Sequence, residues 1–175
     1  LMPLADRPQP RPEVFLLLAS IADAAGDGAT AESHYRRALK VSPDTPAALN
    51  NLAYLLLTRG DGNLSEAQTM AARAVALAPT NPSFHDTLAR VQLQAGDAPA
   101  ARKSFDRAID LDPSNVEAMI GKATALSGTG DRDELRTLLQ QIDAALSHGK
   151  PTLSEALKRE LEAARSNANA AVDPR

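Results

Sequence analysis

The chain has 175 residues, and its 19 Lys and Arg against 22 Asp and Glu give a formal net charge of −3. This balance excludes a strongly basic nucleic-acid binder and a polyacidic tail. Cys is absent, which excludes disulfides, thiolate metal sites, iron–sulfur clusters and a Cys nucleophile. Trp is also absent and aromatic residues are scarce, so a core must be built from Ala and Leu, which favours closely packed helices.

Residues 1–11 are rich in Pro and predict an extended linker. From residue 12 the pattern predicts pairs of helices. First helices are expected near 12–25, 46–59, 82–95 and 116–129, and second helices near 29–41, 64–77, 98–111 and 132–147. No stretch of 18 consecutive apolar residues occurs, so no segment is predicted to insert directly into a membrane.

Proline, glycine and aspartate mark the helix ends. Three first helices open at or near a Pro, where the missing N–H costs no hydrogen bond. Each first helix ends at a Gly placed for the left-handed conformation, and each Gly is followed by an Asp suited to cap the next helix. These pairs are Gly26-Asp27, Gly60-Asp61, Gly96-Asp97 and Gly130-Asp131.

The C-terminal region predicts one further helix. Residues 150–166 place Leu153, Leu157 and Leu161 on one face and charged residues on the others, as in a polar lid over the end of an array. Thr152 or Ser154 could cap its start. Residues 167–175 are expected to form a flexible tail.

The same features recur with a period of 34 to 36 residues. Prolines repeat at Pro43, Pro79 and Pro113, and alanines at Ala38, Ala74 and Ala108 and at Ala19, Ala53, Ala89 and Ala123. The period divides the chain into four units, residues 12–45, 46–81, 82–115 and 116–149. Internal repeats of this length are typical of solenoids, whose units bury their faces against neighbouring units.

The units resemble the tetratricopeptide repeat (TPR) family of bacterial type, whose pattern is W-x2-L-G-x2-Y, then A-x3-F, then P, over about 34 residues. The second unit supplies Leu49, Leu52, Ala53, Leu56, Ala67, Ala71 and Pro79, and the fourth departs from the pattern at Lys122 and Ser147. The resemblance implies an all-α, right-handed superhelical solenoid of antiparallel helix pairs. It also implies a protein-binding scaffold that is not an enzyme and holds no cofactor.

Such an array has a concave face, which the first helices usually line in this family. Positions 2, 5, 9 and 12 of each first helix point about 130° away from its packing stripe. The first unit places Glu13, Leu16, Ser20 and Asp23 there, and the fourth places Glu117, Ile120, Thr124 and Ser127. The candidate contact residues for a peptide or protein are Asn50, Tyr54, Leu57, Asp86, Arg90 and Leu93.

Two readings stay open for the polar candidates. Asn50 could bond both N–H and C=O of an extended peptide, with Tyr54 as an aromatic anchor, or both could serve helix packing. Arg90 could grip a carboxylate, or it could pair with Asp86 four residues earlier. Few Lys or Arg stand at the face positions, so a clamp for a C-terminal carboxylate is not expected.

Residues 26–31 match G-x-G-x-x-A, but they follow a helical pattern, so they predict an inter-helix turn rather than a dinucleotide site. The three histidines, His34, His85 and His148, form no ligand-like set, so no metal is predicted. No pair of carboxylates suggests general acid–base catalysis.

The N-terminal edge is expected to have a partner. Residues 14–18 are apolar on every side, and Leu16 and Leu17 would be partly exposed in an isolated array. An upstream repeat, the linker or a second copy of the chain could cover them.

The function indicated is a scaffold that binds a peptide or protein segment in the groove. The run Asn50–Leu56 also resembles, more weakly, repeats of exopolysaccharide export and exosortase (PEP-CTERM) proteins. The alternatives are therefore an assembly factor of a bacterial envelope export system, or an accessory domain of a larger enzyme. The compartment would be bacterial cytoplasm, or periplasm for an export system.

Overall fold

The computed structural model of the protein describes residues 11–60, 63–149 and 152–170, with the backbone alone at 148 and 149. These ranges form nine α-helices and no β-strand, which confirms the all-α fold class. The helices are α1 Pro12–Ala24, α2 Gly28–Val41, α3 Pro46–Arg59, α4 Leu64–Leu77, α5 Pro82–Gln94, α6 Ala98–Leu111, α7 Val116–Thr129, α8 Arg132–Gly149 and α9 Glu155–Asn169. The first eight lie within two residues of their predicted bounds.

The helices begin and end for the predicted reasons. Pro stands in the first turn of α1, α3 and α5, where no intrahelical donor is lost. The turn that follows each first helix contains a Gly with φ between 70° and 82°. A side chain with a Cβ adopts this left-handed conformation at a cost, so glycine is required at Gly26, Gly60, Gly96 and Gly130.

Three of the second helices, α2, α4 and α6, are capped by Asp or Asn. Asp27 and Asp97 accept the backbone N–H groups of Thr30 and Ala100, each at 3.0 Å. The same contact lowers the pKa of Asp27, because the hydrogen bonds from Thr30 favour its ionised form. Asn63 caps α4, whereas the predicted Asp61 lies outside the described residues.

The periodic alanines are fully buried. All seven of the periodic alanines have no exposed surface: Ala19, Ala38, Ala53, Ala74, Ala89, Ala108 and Ala123. Side chains this small allow helix backbones to approach closely, so the few large residues fill what space remains. The periodicity in the sequence therefore corresponds to the packing seams of the fold.

Two compact units divide the chain, residues 1–78 and residues 79–175. In unit 1, α1 packs on α2, α2 on α3, and α3 on α4. In unit 2, α5, α6, α7 and α8 pack in the same sequential way. Helix α9 then packs on α7 more extensively than on α8.

Helix α9 is the predicted additional helix, with different ends. The Ser154 hydroxyl accepts the backbone N–H of Leu157 at 3.3 Å, so Ser154 is the cap. The helix continues past residue 166 to Asn169, because Ala168 is buried at 2% exposure and extends its apolar face. The predicted tail therefore overlaps the last turn of α9, and its residues 171–175 lie outside the described residues. The same holds for residues 1–10 of the predicted linker.

The departure of the fourth repeat at Lys122 has a structural explanation. The Lys122 ammonium lies 2.6 Å from Asp106 on α6 and 3.0 Å from Glu134 on α8, and its side chain is 15% exposed. Burial alone would lower the pKa of Lys122, but the hydrogen bonds with the two carboxylates outweigh it and raise that pKa. An ion-pair bridge between three helices thus replaces apolar packing at this position.

Candidate functional site

A cavity of about 370 Å³ in unit 1 brings together residues of α1, α2 and α3. Its lining is Ser20, Asp23, Ala24, Tyr35, Asn50, Asn51 and Tyr54. Four of these residues were predicted from helix geometry for one face of the first helices: Ser20, Asp23, Asn50 and Tyr54. The structure therefore places these predicted face positions of α1 and α3 around a common space.

Asn50 is the most unusual residue of this cavity. It is 7% exposed, and its Nδ2 donates to Asn51 Oδ1 at 3.3 Å. Its own Oδ1 is buried and has no hydrogen-bond partner among the described residues. A buried acceptor without a donor costs about 1–3 kcal/mol, which makes Asn50, a residue of the cavity lining, a candidate for contact with a ligand that supplies a donor.

Two tyrosines give the cavity its aromatic surface. Tyr35 is 1% exposed and forms a fixed wall, whereas Tyr54 is 46% exposed. A half-exposed Tyr offers a flat apolar face and a polar tip, which is the combination that interface anchors use. The cavity therefore combines a rigid aromatic wall with an accessible one.

The charge that the described residues place at the cavity is negative. Asp23 contributes a carboxylate, and none of the described residues that line the cavity is Lys or Arg. Elsewhere in unit 1, Arg36 pairs with Glu32 and Glu66 at 2.8 and 2.7 Å. Its hydrogen bond lowers the pKa of Glu66 and raises that of Arg36. The cavity is therefore lined by hydrogen-bond acceptors, and Arg36 pairs with carboxylates that do not line it.

Leu57 completes the candidates of unit 1. It is half-buried and is not among the residues that line the cavity. It lies on α3 three residues after Tyr54, on the same side of the helix. Its role in binding stays a prediction.

In unit 2 the polar candidates pair with each other. Asp86 Oδ2 accepts from Arg90 Nε at 2.9 Å, and the two side chains are 14% and 17% exposed. Arg90 also donates to the carbonyl oxygen of Glu117 on α7 at 3.1 Å and lies 3.7 Å from Glu160 on α9. Arg90 thereby joins α5, α7 and α9. Of the two interpretations from the sequence, the structure agrees with the one in which Arg90 pairs with Asp86.

Two apolar positions of the predicted inner face of unit 2 pack within the protein. Leu93 is half-buried and packs on the cluster around Phe105. Ile120, expected on the inner face, is fully buried in a cluster that includes Leu157 and Leu161 of α9. That expectation is wrong for Ile120, because α9 packs against α7.

Two other cavities lack an unsatisfied group of this kind. One, of about 310 Å³ between α8 and α9, contains Arg165, which is 2.5 Å from Asp143. The other, of about 260 Å³, lies in unit 1 among α2, α3 and α4 and contains Arg73, which is 2.5 Å from Asp44. The charged side chains that line them already have partners within the protein.

A second surface lies on α1. The N-terminal stripe, as we call it, consists of Val14, Leu17, Leu18 and Ile21, which are 51%, 63%, 40% and 58% exposed. The corresponding positions of α3, which packs on the preceding α2, are mostly buried: Ala48, Asn51, Leu52 and Leu55. Of the two predicted edge residues, Leu17 belongs to this stripe, whereas Leu16 packs on the cluster of Phe15, Ala38 and Ala48.

The histidines have structural surroundings. His85 is 8% exposed and its Nε2 lies 2.9 Å from the carbonyl oxygen of Pro79. His34 stacks on Phe15, with ring centroids 6.4 Å apart. The side chain of His148 lies outside the described residues. The described part of the chain contains no group of three potential metal ligands and no helix long and apolar enough to cross a membrane.

Known proteins share both the sequence pattern and the fold. The tetratricopeptide repeat family model matches residues 24–91 and 92–148. A protein adenylyltransferase, fic-1 of Caenorhabditis elegans, is 35% identical over 83 residues, which are 46% of this chain and 16% of that protein. This chain thus spans about a sixth of the length of that relative.

Solved structures extend the similarity over most of the chain. An O-GlcNAc transferase mutant of Thermobaculum terrenum aligns with a TM-score of 0.71 and 29% identity, covering 75% of this chain and 25% of that one. A thermophilic TPR protein of Thermus thermophilus aligns with a TM-score of 0.72 and 20% identity. That alignment covers 90% of this chain and 83% of the other, and at this identity it establishes the fold.

Proposed function

We propose that this chain, which belongs to the tetratricopeptide repeat family, is a non-catalytic scaffold that binds a peptide or protein segment at the cavity of unit 1. The repeat fold is that of a protein-interaction scaffold. The observation that carries the finer proposal is the buried, unsatisfied Oδ1 of Asn50 at the wall of an open cavity.

Peptide chemistry suits that wall. An extended peptide presents a backbone N–H and a C=O at each residue, and an Asn side chain can bond with both kinds of group. A donor supplied by the ligand would satisfy Asn50 Oδ1, so the cost of its burial would be removed only in the complex. The exposed ring of Tyr54 adds apolar contact beside it.

The proposal assigns different roles to the six candidate residues. Asn50, Tyr54 and Leu57 are the contact residues on α3. Asp86 and Arg90 hold α5 against α7 and α9, and Leu93 packs internally. In this proposal Asp86, Arg90 and Leu93 stabilise helix packing and do not contact the ligand.

Partner capture compared between Tyr54→Ala and Leu77→Ala tests the proposal. The two side chains are 46% and 42% exposed and both belong to unit 1, but only Tyr54 lines the cavity. Loss of a partner with Tyr54→Ala and its retention with Leu77→Ala supports binding at the cavity. Equal recovery with both variants would place binding elsewhere.

The similarity to the adenylyltransferase and to the glycosyltransferase favours a second candidate, an accessory domain of a larger enzyme. Both of those proteins are enzymes by name, and this chain covers 16% and 25% of them. In that case the same cavity would recruit the protein on which a neighbouring domain acts. A full-length gene product without a catalytic domain would reject this candidate. The envelope assembly role stays a prediction from the sequence.

A further inference from the structure

We infer that the cavity of unit 1 selects a basic residue, Lys or Arg, of the bound segment. This inference rests on the proposed function, because it names the chemistry of the ligand at the same site. The geometry points to it through three features: a carboxylate with no ion pair among the described residues, one unsatisfied buried acceptor and an accessible aromatic ring.

The carboxylate is that of Asp23. Asp23 is exposed, and the described residues contain no ion pair with it. The lining holds acceptors on Ser20, Asn50, Asn51 and both tyrosines, but no cationic side chain. An incoming ammonium or guanidinium would meet an uncompensated negative charge, whereas an incoming carboxylate would be repelled.

The buried acceptor of Asn50 points to the same class of ligand. Lys carries three donors and Arg five, and neither carries an acceptor on its charged group. Such a side chain can donate to Asn50 Oδ1 and pair with Asp23, which belongs to the same lining. An acidic or purely apolar side chain offers no donor of its own to the Oδ1, which would then depend on a backbone N–H of the peptide.

Tyr54 provides the third feature. A cation close to the face of a Tyr ring gains a favourable electrostatic contact, and the aliphatic stem of Lys or Arg packs on the same ring. The 46% exposure of Tyr54 leaves that ring accessible.

Selection of random twelve-residue peptides displayed on phage tests the inference with the full chain as bait. Parallel selections use the wild type, Asp23→Asn, Asp110→Asn and Tyr54→Ala. Asp110 is an exposed residue of α6, so Asp110→Asn changes the net charge equally without touching the cavity. Circular dichroism confirms that each variant is folded.

The expected result is an excess of Lys and Arg in the peptides enriched on wild type. A synthetic peptide from that pool should bind about tenfold more weakly to Asp23→Asn, and with unchanged affinity to Asp110→Asn. Replacing its basic residue by norleucine should weaken binding to wild type more than it weakens binding to Asp23→Asn, because only the wild type loses the pair with Asp23.

Two results would overturn the inference, and they differ in what they say of the proposed function. Peptides that lose binding on Tyr54→Ala but show no basic excess and bind Asp23→Asn normally would retain the binding site and reject its preference for basic residues. Peptides that bind Tyr54→Ala as well as wild type would reject both.

Discussion

Gly121 is the position at which the packing of unit 2 permits the sharpest prediction. A Cβ built on Gly121 would lie 2.4 Å from both Cε1 and Cζ of Phe105. Carbon atoms in contact are ordinarily separated by about 3.5–4.0 Å, so the ring would have to move by more than about 1 Å. Phe105 has no exposed surface and is enclosed by α6 and its neighbours, so the ring has no free space into which to move.

Gly121→Ala therefore has two opposed effects on the free energy of unfolding. Alanine gains about 1 kcal/mol in helix propensity over glycine. Overpacking a filled core costs about 1–3 kcal/mol, and an overlap of this size belongs in the upper part of that range. We expect a net loss of about 1–2 kcal/mol.

The same helix supplies the control. Gly128 also lies in α7, and a Cβ built there would meet nothing within 4 Å. Gly128→Ala should therefore stabilise the protein by about 0.5–1 kcal/mol, because only the propensity gain applies. Urea unfolding followed by far-UV circular dichroism measures both variants, with the slope of the transition checked for constancy.

A double-mutant cycle identifies the cause of the effect. If the clash with the ring is responsible, Gly121→Ala should cost less in a Phe105→Leu background than in the wild type. Wild-type or greater stability of Gly121→Ala would refute the reasoning, and so would an equal cost in both backgrounds.

Three further predictions concern charge and surface. Arg90→Met should lower the free energy of unfolding by about 1–3 kcal/mol, because it leaves Asp86 buried without its partner, and adding Asp86→Asn should recover part of the loss in urea unfolding. Leu17→Glu should shift the sedimentation coefficient toward the monomer if the N-terminal stripe pairs two copies of the chain, and a monomer that is independent of concentration in the wild type would reject that pairing. Below pH 4.5 the protein should lose stability. Hydrogen bonds from the facing Arg and Lys side chains lower the pKa values of Glu66 and Glu134 in the folded state. The stabilisation from these two ionised carboxylates is therefore lost as the pH falls through their folded pKa values. Glu66→Gln should make the thermal midpoint less dependent on pH in this range, and an unchanged acid limb would contradict the assignment.

The helices could be predicted because local chemistry marks their ends. Proline at the start and glycine with positive φ after the end are properties of single residues, and they recur at a fixed period. The buried periodic alanines follow from the same repetition. These features need no knowledge of which helices touch, so the sequence alone contains them.

The inner face could be predicted only in part. Helix geometry correctly grouped Ser20, Asp23, Asn50 and Tyr54, because neighbouring first helices expose equivalent positions. It failed for Ile120, because α9 packs on α7. This is a tertiary contact that the repeat pattern of the sequence does not predict. Asn51 and Tyr35, which also line the cavity, were missed because they lie outside the positions considered.

In α1 the sequence also could not predict which of two neighbouring leucines is exposed. Leu16 and Leu17 are neighbours in a run that is apolar on every side, so their sequence context does not distinguish them. A rotation of about 100° per residue separates the two side chains, so Leu16 packs on the cluster that contains Ala38 and Ala48, and Leu17 lies in the exposed stripe. The positions of α2 and α3 decide which leucine is covered.

The central claim, that a partner binds at the cavity of unit 1, has a direct test by fluorine NMR. The chain contains two Tyr, and both line the cavity, so 3-fluorotyrosine labelling gives two signals that both report on this site. Titration with a peptide selected on the wild-type chain should shift the Tyr54 signal and saturate at the same concentration as binding measured by calorimetry. Saturable binding by calorimetry that leaves both tyrosine signals unmoved would contradict the account.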